Sequence, residues 1–349
     1  MTPPVSLRAR SLLKEAVWRA RTGLRVSRAR MRSKASVERE FRARYFADEP
    51  VNLEALPQYK LERFPDCGPR PWLDAPDANE KIAERLARGE ISAEQAAKCR
   101  EWAASGALVL EKFFDDARLE RMWSAYEDAV ASRRVPLQPE QPATGDHLPS
   151  RSLDAHLVVP EVRAILHDPG LVAWMRLLLG REPIPFQTLV SHKGSEQREH
   201  SDAIHMTTYP VGYLTAAWIA FEDISPDCGP IVYYPGSHRL PYLSSRALGL
   251  PEDDFRKRGY SGYMEKYEPA IQALIAERGL ARSVFLPKKG DVLLWHGNLI
   301  HAGSPRRNLA LSRKAVVLHY FAQGAVCYHD LSGTRTPEDR LERPRGARV

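Results

Sequence analysis

The stretch HSD at residues 200–202 sets an imidazole and a carboxylate two positions apart, within GSEQREHSDAIHMTTYP. On a strand, residues i and i+2 share a face. His200 and Asp202 are therefore expected to converge on one metal ion. Two ligands are too few to hold one. The candidate third is His301, in GDVLLWHGNLIHAGSP, 101 residues beyond His200. Two histidines and one carboxylate describe the facial triad of non-haem Fe(II) oxygenases. Such a triad leaves about three coordination positions for a co-substrate and O₂, and it needs no thiolate. An HxD triplet alone is a weak signal, and this chain has one among its eleven histidines.

The neighbouring histidines compete for the same role. His205 follows Asp202 by three positions, so on a continuous strand it faces away. His296 precedes His301 by five and has the opposite parity. His238 sits in Pro235-Gly236-Ser237-His238 and is expected to shape a turn. His192 and His319 read as residues of a β core or its rim. Cys228-Gly229-Pro230 reads as the lead into a strand, without redox chemistry.

The elements that must position these groups change in texture along the chain. Ser92-Ala93-Glu94-Gln95 fits a capping box opening a helix through about Trp102, with Gly106 stopping it. ALVLEKFF (107–114) reads as a buried strand. Leu119, Met122, Trp123, Tyr126 and Val130 mark the apolar face of the next helix. The Pro-rich stretch 134–150 is a loop long enough to be a lid or binding loop. A helical pair follows around 160–179. From about 183, short apolar runs predominate: IPFQTLVSH, YLTAAWIAFED, GPIVYYPGSH, SVFLP, GDVLLWHG and KAVVLHYFA. Turn signals such as SPDCGP, PKKGD and GSPRRN separate them. A helical insertion at 252–279 interrupts the series. The pattern predicts a helical N-terminal half wrapped on a C-terminal β sandwich or barrel.

Composition narrows the class. The chain has 349 residues, is 43% hydrophobic and 27% charged, and carries a net charge of +7, ordinary for a globular protein. The excess charge is local. Residues 1–45 hold 13 Lys and Arg against 3 Glu, and the remainder holds 38 basic against 41 acidic residues. The basicity therefore belongs to an arm in which Trp18 is the one aromatic before Phe41 and Tyr45 at its end, too few to interleave with the charges, which argues against nucleic acid. In that arm Leu13, Val17, Ala20 and Leu24 form one stripe, and Lys14, Arg21, Arg25 and Arg28 another. A helical or partly disordered arm, a peripheral contact with an anionic surface and an organelle-targeting peptide are all open readings. No run of about 18 apolar residues is present, and no signal peptide is visible. Four cysteines without a CxxC spacing argue against a disulfide framework, so the expected location is cytoplasmic.

Taken in order, HSDAIHMTTYPVGYLTAAWIAFEDISPDCGPIVYYPGSHRLP and GDVLLWHGNLIHAGSPRRNLALSRKAVVLHY resemble the phytanoyl-CoA dioxygenase family of Fe(II)/2-oxoglutarate-dependent oxygenases. The resemblance covers about residues 92–322. It implies an α+β fold with a mainly β core: a double-stranded β-helix (jelly roll, cupin-like) with flanking N-terminal helices and the helical insertion. The expected organisation is a basic arm over 1–45 and an irregular linker with a first helix over 46–91. The dioxygenase domain then covers 92–330, and a polar tail 331–349. The resemblance assigns His200, Asp202 and His301 to iron. It assigns Arg313, in LSRKAVVLHY, to the distal carboxylate of 2-oxoglutarate, for which a planar guanidinium is the natural bidentate partner. Arg306 and Arg307 are neighbours of similar type. Trp218 matches a position lining the co-substrate pocket, with plain core packing as the competing reading. Gln197 and Thr207 are further candidates for contact with co-substrate or substrate.

The implied reaction converts 2-oxoglutarate and O₂ to succinate and CO₂ and hydroxylates an unactivated C–H bond of a small molecule or lipid-like metabolite. Halogenases of this broad group carry a small residue in place of the carboxylate. Asp202 thus favours hydroxylation, or a related desaturation or ring closure. The family name suggests an acyl-CoA, while relatives act on amino acids, small polar metabolites and natural products. Two other classes stand beside this one: a non-catalytic jelly-roll binding module, and a cupin-type metalloenzyme that does not use 2-oxoglutarate. The oligomeric state is not legible.

Overall fold

A computed structural model of the chain describes residues 69–139 and 149–336. The basic arm, most of the linker, the centre of the Pro-rich loop and the end of the C-terminal tail lie outside the described residues.

Helix α1 (Ala78–Ala87) and α2 (Ala93–Ser105) open the described chain. Ser92 and Gln95 form the reciprocal capping box, and Gly106 ends α2 at φ +76°. A side chain at Gly106 would collide with the His238 ring, its Cβ falling 2.4 Å from Nδ1. Glycine is thus required both for the left-handed turn and for the close approach. Strand β1 (Ala107–Leu110) is shorter than the predicted 107–114. The amides of Phe113 and Phe114 leave the ladder and donate to the Gly290 carbonyl. Helix α3 (Asp116–Ala131) buries Leu119, Met122, Trp123 and Tyr126 as predicted, with Ala129 rather than Val130 completing the face. After the short β2 (Gln138–Pro139) and β3 (Pro149–Leu153) come α4 (Pro160–Leu166) and α5 (Pro169–Leu179).

The apolar runs then form β4 (Pro183–Ser191), β5 (Thr207–Tyr209), β6 (Leu214–Ala220), β7 (Ile231–Tyr233), β8 (Ser283–Val284), β9 (Val292–His296), β10 (His301–Gly303), β11 (Ala315–Ala322), β12 (Val326–His329) and β13 (Thr334–Arg335). Every pairing is antiparallel. The main sheet has seven strands in the order β1-β9-β6-β11-β4-β3-β2. Two three-stranded sheets, β10-β7-β8 and β13-β12-β5, complete the β structure, and the three sheets do not join into one closed barrel.

Alternation along the central strands separates two cores. Ala217, Ile219, Val292, Leu294, Val316 and Leu318 face the helices, where Trp102, Leu119, Tyr126 and Met175 cover them. Leu73, Ala78 and Ile82 belong to this same cluster. Ala216, Trp218, Ala220, Leu293, Trp295 and Ala315 face the other way, toward Ile231 and Phe285. Because β6 and β9 are buried on both faces, they read as continuous apolar runs. Each large side chain so buried contributes about 1.5–3 kcal/mol.

The insertion folds as α6 (Asp254–Arg258), a π-helical turn (Tyr263–Tyr267) and α7 (Glu268–Glu277). It has its own cluster, in which Phe255, Tyr263, Tyr267 and Ile271 pack with Ile204 and Ile300. Ile204 is two residues past Asp202, and Ile300 immediately precedes His301. The insertion is therefore seated on the segments that carry the candidate ligands.

Candidate metal centre

The HSD segment is not a strand, which corrects the local premise of the sequence argument. His200 makes an isolated antiparallel bridge with His301. Its amide donates to the His301 carbonyl at 3.0 Å, and the His301 amide donates back at 2.8 Å. Asp202 then opens a 3-10 turn, Asp202–Ile204. The two histidines are thus neighbours across a bridge, and the turn swings the carboxylate back between them.

One atom of each residue converges. His200 Nε2 lies 4.0 Å from Asp202 Oδ1, and His301 Nε2 lies 3.8 Å from the same oxygen. The three donor atoms all lie within 4.8 Å of one another, and all three residues are buried. The remaining ring nitrogens are engaged: His200 Nδ1 meets the Arg198 carbonyl at 2.8 Å, and His301 Nδ1 meets the Leu299 carbonyl at 3.0 Å. Each carbonyl holds the proton on Nδ1 and leaves the Nε2 lone pair free for a cation. Burial, joined by the adjacent His301, pushes the His200 pKa down to about 3 and keeps it neutral, while Asp202 pulls the other way. For Asp202, burial alone would raise the pKa, but His301, His319 and His200 outweigh it and hold the carboxylate ionised. Two imidazole nitrogens and one carboxylate oxygen fit a divalent first-row cation.

The second carboxylate oxygen is held from behind. Trp295 Nε1 donates to Asp202 Oδ2 at 2.8 Å, and His319 Nε2 lies 3.6 Å from that oxygen. Trp295 also packs its ring 5.0 Å from that of His301. His319 is a core residue, as its sequence context suggested, but it also borders the centre. Neither it nor Trp295 is distinguishable in sequence as a partner of Asp202. Strand periodicity places Leu293 and Trp295 on one face without saying what that face meets.

Arg313 and Trp218 are brought to each other, with the guanidinium carbon 5.9 Å from the indole centroid. Arg313 is buried and donates to the Gly229 carbonyl at 2.7 Å. Trp218 packs against Phe285 in the inner core. Arg306 is committed elsewhere: its Nε donates to Glu196 Oε2 at 3.1 Å and its amide to Oε1 at 3.0 Å. Arg307 is exposed and pairs with Asp227. Gln197 contributes its carbonyl to the Gly303 amide, and Thr207 is buried on β5 opposite Tyr328. Among the described residues, neither side chain hydrogen-bonds a triad residue.

His205 and His296 stay outside the ligand set. His296 Nε2 meets Asp74 Oδ2 at 3.2 Å. His205 is not on a continuous strand. It caps the 3-10 turn, with its ring 5.8 Å from that of His200. No helix among the described residues is long and apolar enough to cross a membrane.

Comparison with known proteins gives a consistent picture. The family described as phytanoyl-CoA dioxygenase (PhyH) matches residues 95–315. Phytanoyl-CoA dioxygenase domain-containing protein 1 of Mus musculus is 30% identical over 179 residues, covering 49% of this chain and 56% of that one. The chain thus spans little more than half the length of that relative. The peroxisomal phytanoyl-CoA dioxygenase of Homo sapiens is 25% identical over 251 residues, covering 66% of this chain and 69% of that one. Among solved structures, the non-heme alpha ketoglutarate dependent epimerase SnoN from nogalamycin biosynthesis superposes with a TM-score of 0.53 at 16% identity. That match covers 74% of this chain and 92% of SnoN. EctD from S. alaskensis with bound Fe gives 0.51 at 23% identity, covering 66% and 77%. These likenesses are of fold.

Proposed function

Because this chain belongs to the phytanoyl-CoA dioxygenase family, we propose that it is an Fe(II)- and 2-oxoglutarate-dependent dioxygenase that hydroxylates a C–H bond of a small molecule. The observation that carries this is the buried convergence of His200 Nε2, His301 Nε2 and one Asp202 oxygen. In the same reading the three sheets together make up a double-stranded β-helix, residues 92–330 are the catalytic domain, and O₂ is the second co-substrate. A cytoplasmic location belongs to the same proposal.

When bound, Fe(II) would supply oxygen activation coupled to decarboxylation of 2-oxoglutarate. The protein's own contributions are positional. His200, Asp202 and His301 would hold the ion from one side. Trp295 and His319 keep Oδ2 of Asp202 turned away, so that Oδ1 faces the imidazoles. Arg313 would take the distal carboxylate of the co-substrate in a bidentate pair. Trp218 would close the wall beside it and exclude water. Retention of Asp202 leaves no ligand position for a halide where the carboxylate stands, which favours hydroxylation, desaturation or ring closure over halogenation.

The test is succinate formation from 2-oxoglutarate under air by protein loaded anaerobically with Fe(II), alone and with a metabolite extract. Turnover is expected in the wild type, lost in Asp202→Ala and weakened in Arg313→Ala. Iron binding without dependence on 2-oxoglutarate would instead indicate a cupin-type metalloenzyme. Absence of both iron binding and succinate would indicate a binding module. The basic arm is proposed to meet an anionic surface, and failure of the intact protein to bind anionic liposomes would remove that part.

A further inference from the structure

His205 lies beside the metal-facing atoms yet takes no part in holding them. Both of its ring nitrogens are shielded from solvent, and among the described residues neither meets a hydrogen-bond partner. Buried polar atoms are normally paired, so an imidazole with two idle nitrogens points to a group that arrives from outside. The surroundings say what kind. The Tyr263 ring is 5.0 Å away, the Tyr260 ring 5.8 Å and the His329 ring 6.2 Å. Phe255 closes the ring of contacts at 5.1 Å from Tyr260 and 4.9 Å from His329. Tyr260 is 43% exposed, so this aromatic wall reaches the surface at one edge. Arg151 on β3 is near enough for its charge to act on both His205 and Tyr260.

We infer that the aromatic cluster around His205, seated by the insertion beside the metal centre, receives the substrate, and that the substrate is an organic acid with a flat apolar body. The rings of Tyr260, Tyr263 and Phe255 would pack on that body. A ring N–H of His205 would donate to the acid's oxygen, and Arg151 would supply the counter-charge. His205 is thereby a specificity-determining residue and not a fourth metal ligand. The inference deepens the oxygenase reading and rests on it.

Isothermal titration of the full-length protein, loaded with Mn(II) and saturated with 2-oxoglutarate, tests the inference. Saturation ensures that an added acid is not read out at Arg313. The probes are cinnamate, cinnamylamine and acetate. Cinnamate is expected to bind about tenfold more tightly than either of the others. His205→Phe keeps a ring in the wall and removes both nitrogens. It and Arg151→Gln are each expected to weaken cinnamate about three- to tenfold, with Mn(II) and 2-oxoglutarate still bound stoichiometrically. Equal binding of cinnamate and cinnamylamine, binding of none of the probes, or undiminished cinnamate affinity in His205→Phe would overturn the assignment. Loss of Mn(II) from His205→Phe would make His205 a ligand and overturn it too. A wild-type protein that holds neither Mn(II) nor 2-oxoglutarate would fail the oxygenase reading itself, a distinct result that removes the inference with it.

Discussion

The indole N–H of Trp295 donates to Oδ2 of Asp202 at 2.8 Å, across 93 positions of sequence. Trp295 on β9 and His319 on β11 flank β6, and the residue paired with both is Ala216. A methyl group between an indole and an imidazole leaves room for a carboxylate to reach both. Partners of this kind orient a ligand, and their loss typically lowers metal affinity about 10- to 100-fold. Trp295→Phe is expected to do the same while keeping the fold, because most of the ring volume remains. Metal titration beside a thermal melt checks it. Unchanged affinity would show that the turn alone orients Asp202.

Tyr267 ties the insertion to the ligand segment. Its hydroxyl accepts from the Ser201 amide at 3.0 Å and lies 3.1 Å from Ser201 Oγ. Ser201 is the residue between His200 and Asp202, and the site around this hydroxyl is fully buried. Tyr267→Phe leaves a buried amide without its acceptor, which costs about 1–3 kcal/mol. The expected readouts are a lower urea midpoint and weaker metal binding together. A stability loss with metal affinity intact would make Tyr267 a packing residue only.

Glu196 and Arg306 form an ion pair with side chains only 2% and 3% exposed. It joins the loop before His200 to the turn after β10, whose Gly303 amide also donates to Gln197. Breaking a buried pair leaves a charge without its counterpart, worth about 3–5 kcal/mol. Glu196→Gln is expected to destabilise by about that amount in chemical denaturation. The double change Glu196→Leu with Arg306→Met should recover most of it, since an apolar pair carries no desolvation cost.

His238 makes apo-protein stability depend on pH. Burial, then the neighbouring His296 and Arg239, lower its pKa from 6.5 to about 3, against the pull of Asp74. The unfolded chain therefore takes up this proton first. Stability from this group is fully present above pH 6.5 and is lost as pH falls toward 3, by about 1.4 kcal/mol per pH unit. His205, lowered to about 3 chiefly by burial, acts in the same direction. Urea midpoints between pH 7 and 5 should fall, and His238→Gln should flatten the slope by about one proton. A midpoint independent of pH would show that His238 is protonated in the fold.

Much of the fold was readable because its signals are local. The capping box at Ser92 and Gln95 needs only four residues, and Gly106 needs only its own φ. The strands β6 and β9 announced themselves as apolar runs buried on both faces, and β4 and β11 as β-like runs between turn signals. What failed depended on contacts between residues distant in sequence. β1 stops at Leu110 because the Lys112 amide turns to Asp291 Oδ1 and those of Phe113 and Phe114 to the Gly290 carbonyl, contacts that no window of sequence contains. The strand assumed for HSD is a bridge followed by a 3-10 turn. The convergence that the parity argument expected of His200 and Asp202 therefore arises for a different geometric reason, and the same argument placed His205 too far from the centre.

The sequence by itself determined which side chains could bind a cation and that a guanidinium stood downstream to meet an acid. Side-chain chemistry is intrinsic to residue type. Only the tertiary structure decided which oxygen of Asp202 faces the imidazoles. It also decided that Trp295, His319 and Tyr267 hold that arrangement, and that Arg306 is occupied by Glu196 while Arg313 lies beside Trp218. Those outcomes depend on strand register and on the seating of the insertion. Both are set by burying two faces of one sheet at once, a balance of contacts between residues distant in sequence.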